Sequence, residues 1–177
     1  MLDTFIVTGL PGAGKTTTSK AIARTFPLAA AIEGDVLSFD FVVAGLPDPF
    51  GDDVQRSEWS RHMDLRRTNT CLLADSYRNA GFVVVIDDFL TRIEDVRKYD
   101  SALERPVGLV VLAPPLEVIA TRDAARDKQV FAAWVHKDAE MREHLAGHGI
   151  WIEDPGLTPE EVASLALAHI GHAVVPE

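Results

Sequence analysis

The residues Gly9-Leu10-Pro11-Gly12-Ala13-Gly14-Lys15-Thr16 set glycines, a lysine and a hydroxyl at the spacing G-x-x-x-x-G-K-[ST], directly after the apolar run Phe5-Ile6-Val7. That pattern is suited to polyphosphate. Gly9, Gly12 and Gly14 let main-chain N–H groups approach phosphate oxygens where a side chain would intrude. A helix starting near Gly14 aims its free N–H groups and positive dipole end at the same oxygens. The Lys15 ammonium reaches toward β- and γ-phosphates, and the Thr16 hydroxyl is placed for Mg²⁺. Pro11, Ala13 and Thr17 complete the expected nucleotide cradle. The dinucleotide pattern G-x-G-x-x-G fails, since its third glycine would fall on Thr17.

Ligands of open α/β sheets bind beyond the carboxyl ends of strands, which singles out the charged residues just past each apolar run. Asp35, in Glu33-Gly34-Asp35, could accept a proton from a substrate hydroxyl or cap the helical stretch Val36–Ala44, two compatible roles. Asp87-Asp88 follows the apolar Val83-Val84-Val85-Ile86. Asp87 would steady Mg²⁺ beside Thr16, with Asp88 as its helper or as a group facing the acceptor. Arg92 either reaches the acceptor or is solvated at the start of a helix over Ile93–Asp100. A long helix over Ser57–Ala80 carries an inward stripe of Trp59, Met63, Arg66, Thr70, Leu73, Tyr77 and Ala80. A charge on such a stripe is costly unless paired, so Arg66 should face a cleft and meet a carboxylate or phosphate. Arg61, His62 and Arg67 read as a solvated flank, and Trp59 as core in preference to a lid over the acceptor. On a helix over Leu116–Arg126, Arg122 and Arg126 could stabilise a phosphoryl group in flight, with Lys128 a weaker third, or could pair with Asp123 and Asp127 at the surface.

The elements that must position these groups follow from the apolar runs. Thr4–Thr8, Ala29–Glu33, Phe82–Ile86, Val107–Leu112 and Ile150–Ile152 alternate with helical patterns, which means βαβ units and a mostly parallel sheet. Phe82–Ile86 is apolar throughout, as suits a strand buried on both faces. The first helix is expected over Gly14–Thr25, before Pro27. Gly45–Gly51 is loop-like and should border the acceptor site. Thr158-Pro159-Glu160-Glu161 forms a capping box opening a last helix with Val162, Leu165, Ala166 and His169 on one face, where His169 reads as structural.

At 177 residues the chain is expected to be one domain, residues 1–177. A formal net charge of −10 argues against nucleic acid or an anionic membrane as partner. The single cysteine, Cys71, excludes an internal disulfide and should be buried on a helix. No signal-peptide pattern and no run of 18 apolar residues occurs, so a soluble, cytoplasmic protein is expected.

The P-loop at Gly9–Thr16, the Gly34-Asp35 element and the arginine-bearing segment resemble the small P-loop kinases typified by chloramphenicol phosphotransferase, gluconate kinase and the zeta toxins. That resemblance implies an α/β P-loop NTPase sandwich with a five-stranded parallel sheet of order 2-3-1-4-5, helices on both faces and a short lid, here about 122–135. It also implies ATP with Mg²⁺ as donor and Asp35 as general base. Glu33–Leu37 and Phe89-Leu90-Thr91-Arg92 are similar to gluconate kinase, whereas the tail from His144 through Glu161 is closer to antibiotic phosphotransferases. No cysteine pairs occur in the lid, so a zinc lid is excluded. The expected activity is transfer of the γ-phosphate of ATP to a hydroxyl of a small molecule, an antibiotic or a sugar-like metabolite, by a monomer or homodimer. Nucleotide or nucleoside kinase and nucleotide-dependent switch are the alternatives; no N-K-x-D guanine motif is present to support a GTPase.

Overall fold

The computed structural model describes residues 2–127 and 129–169. The elements run β1 (Thr4–Gly9), α1 (Lys15–Arg24), β2 (Ala29–Glu33), a π-helical turn (Val36–Asp40), α2 (Asp53–Asn79), β3 (Val83–Asp87), α3 (Ile93–Leu103), β4 (Gly108–Leu112), α4 (Leu116–Ala124), α5 (Phe131–Trp134), α6 (Lys137–His144), β5 (Ile150–Ile152) and α7 (Pro159–Ala168). The strands form one sheet of order β2-β3-β1-β4-β5, every neighbouring pair parallel. Both match the sequence expectation of a five-stranded 2-3-1-4-5 sheet.

Strand periodicity explains the layers. Successive side chains of β1 point to opposite faces, so Ile6 joins Ile32, Ile86 and Leu109 under α2, α3 and α6, while Phe5 and Val7 join Val85 and Val110 under α1, α4 and α7. Ile6, Ile86 and Leu109 are wholly buried, and each such side chain contributes on the order of 1.5–3 kcal/mol by leaving water. Helices thus cover both faces, as parallel sheets require.

Several local expectations shift. The stretch Val36–Ala44 is helical only to Asp40, as a π turn, and Asp35 makes no capping bond: it already has helical φ/ψ of −61° and −36°. Helix α2 begins at Asp53 rather than Ser57, because Asp52 and Gln55 close a capping box. The sequence stripe is also rotated. Arg66, Thr70, Cys71 and Ala74 face inward, whereas Leu73 and Tyr77 are exposed and Trp59 is only half-buried. A stripe of alternating threes and fours averages about 3.5 residues per turn and drifts around a helix of about 3.6, so the buried face moves from Leu73 to Ala74. In α7 the capping box at Thr158 forms, but Val162, Ala163 and Ala166 make the buried face; Leu165 and His169 are exposed, and His169 Nδ1 lies 2.9 Å from the Leu165 carbonyl oxygen. The expected helix over Leu116–Arg126 stops at Ala124.

Candidate active site

The P-loop leaves β1 through Gly9 (φ 150°), with Gly12 at φ 91° and Gly14 at φ 103°. A Cβ on Gly9 would sit 2.4 Å from the Leu112 carbonyl oxygen, so the loop can turn away from β4 only at glycine. Around Gly14 the space within 4 Å is open. No side chain caps α1 at this end, and its first N–H groups are available to an anion. Lys15 Nζ rests 3.4 Å from the Leu10 carbonyl oxygen and 5.7 Å above the Phe89 ring.

Because β1 and β3 pair with Val7 opposite Asp87, the end of β3 arrives beside the start of α1. Thr16 Oγ1 donates to Asp87 Oδ2 at 2.5 Å. Burial pushes the Asp87 carboxyl up, against the pull of Lys15 and the Thr16 hydrogen bond, with Asp35 and Asp88 adding to the rise. A hydroxyl and a carboxylate in contact are hard oxygen donors that fit Mg²⁺, which takes one or two protein ligands and relies on phosphate and water for the rest. No group of three or more His, Cys, Asp or Glu able to hold a metal by itself occurs among the described residues.

Asp35 enters from β2. Gly34 allows a close approach there: a Cβ would lie 3.2 Å from both the Asp87 carbonyl oxygen and Asp88 Oδ1, a tight contact that would push on both. The Asp35 side chain is 75% exposed and meets Arg66 Nη1 at 3.3 Å. Arg66 Nη2 also donates to Asp88 Oδ1, a pair with side chains 9% and 3% exposed. Asp88 is further held by Tyr99 Oη at 2.7 Å and the Phe89 N–H at 2.8 Å. The fully buried Tyr99 hydroxyl has its pKa raised well above the ordinary value by burial and by Asp88, so it is a permanent donor. The expectation that Arg66 meets a carboxylate in a cleft is met.

These groups line one cavity of about 790 Å³, which runs from Pro11, Gly12 and Gly14 through Thr16 and Asp87 to Asp35, Trp59 and Trp134. Arg92, Arg122 and Arg126 also line it. Arg92 Nε donates to Glu140 at 2.7 Å, Arg122 Nη2 to the Pro155 carbonyl oxygen at 3.3 Å, and Arg126 lies 3.7 Å from buried Asp123. Asp123 itself accepts from the Val130 and Phe131 N–H groups, fastening the segment after α4. Lys128 lies outside the described residues. A smaller cavity of about 220 Å³ adjoins Gly14, Thr17 and Thr18 and is walled by Arg122, Asp154, Leu157 and Pro159.

A family model described as an AAA domain matches residues 5–146. The chain belongs to this family. Similar solved structures include a sugar kinase from Janibacter sp. HTCC2649 (24% identity, TM-score 0.65, all of both chains covered). The tunicamycin resistance protein of Deinococcus radiodurans is similar at 19% identity and TM-score 0.64, again over the whole of both chains. A gluconokinase from Sinorhizobium meliloti 1021 follows at 21% identity and TM-score 0.62, covering 95% of this chain and 91% of its own. No curated protein matches the chain significantly. This AAA domain therefore has a P-loop-kinase-like fold with small-molecule kinases among its structural neighbours.

Other parts of the AAA domain's site escape sequence reasoning. Arg67, expected in solvent, is 13% exposed, pairs with Asp64 and Asp95 and lies over the Tyr99 ring. His62 is half-buried, and burial together with Arg66 lowers its pKa; only Arg61 is exposed as expected, paired with Glu58. Glu140 gathers Arg92, Thr91 and Lys137. Burial alone would raise its pKa, but those hydrogen bonds outweigh it and hold the carboxyl at about 2. Its partners Thr91 and Arg92 are 49 and 48 residues away, so no local pattern announces them. Tyr99 could have been found, since a tyrosine on the Ile93, Val96, Tyr99, Leu103 stripe must find a partner for its hydroxyl. The Gly45–Gly51 loop, expected to border the acceptor site, contributes no residue to the cavity lining; Phe50 packs behind Trp134, ring centroids 5.3 Å apart.

Proposed function

We propose that this AAA domain, residues 1–177 as one unit, is an ATP- and Mg²⁺-dependent phosphotransferase acting on a hydroxyl of a small molecule, an antibiotic or a sugar-like metabolite. One observation carries the reading: the open Asp35 carboxylate shares a cavity with the P-loop, Thr16 and Asp87. A hydrolysing switch or motor needs only to orient a water beside its phosphates; an open carboxylate in a cavity with room for an acceptor suits a kinase.

On this reading the smaller cavity takes the nucleoside, while Gly9, Pro11, Gly12, Ala13, Gly14, Lys15, Thr16 and Thr17 cradle the phosphates. Lys15 leaves the Leu10 carbonyl for the β- and γ-oxygens. Thr16, and Asp87 directly or through water, would hold Mg²⁺, which when bound neutralises charge on those oxygens. Asp35 takes the acceptor's hydroxyl proton as that oxygen bonds to the γ-phosphorus and the bond to the bridging oxygen breaks, releasing ADP. Arg66 keeps the Asp35 carboxylate in place and is itself anchored by Asp88. Arg92 borders the acceptor. Residues 122–135 act as a lid whose Arg122 and Arg126 exchange the Pro155 carbonyl and Asp123 for the transferred group.

Acceptor-stimulated ADP release, screened over sugars, antibiotics and nucleosides, tests the reading. Asp35→Asn should lower turnover on the identified acceptor by about 10²–10⁴-fold with nucleotide affinity unchanged. Full turnover in that variant would remove the general base, and ATP hydrolysis indifferent to every acceptor would favour the switch.

A further inference from the structure

The acceptor side of the large cavity is charge-compensated. Arg66 is held by Asp35 and Asp88, Arg67 by Asp64 and Asp95, and Lys98 by Asp95 at 2.9 Å. Arg92 and Lys137 converge on Glu140 at 2.7 and 2.5 Å. Five cations therefore face five carboxylates along this wall, all ten lining the cavity. Arg66 and Arg67 are also the least exposed of these side chains apart from Asp88, at 9% and 13%. Arg66 cannot turn to an incoming anion without stranding Asp88, whose side chain is 3% exposed and where an unpaired charge is costly; Arg67 is held between Asp64 on its own helix and Asp95 on α3.

The wall also carries a group of large apolar side chains. Phe39, Trp59, Met63 and Trp134 line it, and Phe89 packs edge-on against Trp134 with ring centroids 5.5 Å apart. Fixed aromatic faces bind C–H surfaces, while paired carboxylates and guanidinium groups keep spare lone pairs and N–H donors that hydroxyls can share without disturbing the pairs.

We propose that the acceptor is an uncharged, hydroxylated molecule with one apolar face, and that carboxylated or phosphorylated compounds, nucleoside monophosphates included, are rejected. This rests on the kinase reading above and narrows it. The donor end differs in charge: Lys15, Arg122 and Arg126 face it with Asp87 as the carboxylate among them, so the cavity takes an anion at one end and a neutral molecule at the other.

Trp59 and Trp134 report occupancy of the acceptor side, so fluorescence titration with a non-hydrolysable ATP analogue and Mg²⁺ in place measures binding without turnover. The probes are matched pairs: a hexose and its hexose phosphate, a hydroxy-acid methyl ester and the free acid, a nucleoside and its monophosphate. The neutral member should bind at least about 10-fold more tightly, the scale of one charge-assisted contact; an anionic member that binds better overturns the inference. Glu140→Gln, which releases Arg92 and Lys137, should move the neutral-to-anion ratio toward the anion by about 10-fold, and Asp64→Asn, which loosens Arg67, should do the same. An unchanged ratio in both folded variants overturns the charge-compensation account. A neutral preference in fluorescence without acceptor-stimulated ADP release would support the inference and sink the kinase reading.

Discussion

At the scale of single residues, Asp88 joins the site to the fold. Its oxygens serve Arg66, Tyr99 and the Phe89 N–H, so it shapes the cavity through what it holds. Removing one partner of a buried ion pair leaves the other charge stranded. Asp88→Ala should cost about 3 kcal/mol, the low end of that range because Asp35 still faces Arg66. For a chain of this size that lowers the melting midpoint by about 6–12 °C, measurable by calorimetry; a shift under about 2 °C would mean that Arg66 re-pairs freely. The same network explains an uneven legibility. Arg66 was readable as a charge on a core stripe, and the P-loop as eight consecutive residues. Asp88's bond to Tyr99 needs α3 laid against β3, and which oxygen meets which donor is a fact of packing rather than of spacing.

Among the elements, strands were legible because a buried parallel strand is a short apolar run with no competing pattern, and β2 and β5 have the expected bounds. Helices over-ran or under-ran where caps decided. Asp52 with Gln55 starts α2, although a run of polar residues there carries no apolar period. Asp52→Ala should cost about 1 kcal/mol and lower the midpoint by about 2–4 °C. If α2 were instead set by packing alone, the variant would melt with the parent. Arg67 misled for a related reason: it sits on the flank of α2, and only the approach of α3, bringing Asp95 and the Tyr99 ring, turns that flank into an interior.

Over the whole molecule, the acceptor wall draws α2, α3 and α6 together, and Glu140 is the tie between the last two. Its pKa is depressed from 4.5 to about 2 in the folded chain. A depressed carboxylate stabilises the fold above its unfolded pKa, and that contribution disappears as pH falls through the folded value. Urea midpoints of the parent and Glu140→Gln should therefore differ most above pH 4.5 and converge toward pH 2; a constant gap would place the effect outside titration. The described helices include none long and apolar enough to cross a membrane. The close contact at Gly34 has a further consequence. With no Cβ there, the chain leaving β2 passes close to the end of β3, so the backbone that carries Asp35 is laid beside Asp87 and Asp88, whereas the aromatic and charged wall belongs largely to helices and their connections. On the proposed reading, substitutions along α6, and along α2 at positions other than Arg66, which holds Asp35, retune what is phosphorylated while leaving the reacting carboxylate where it stands.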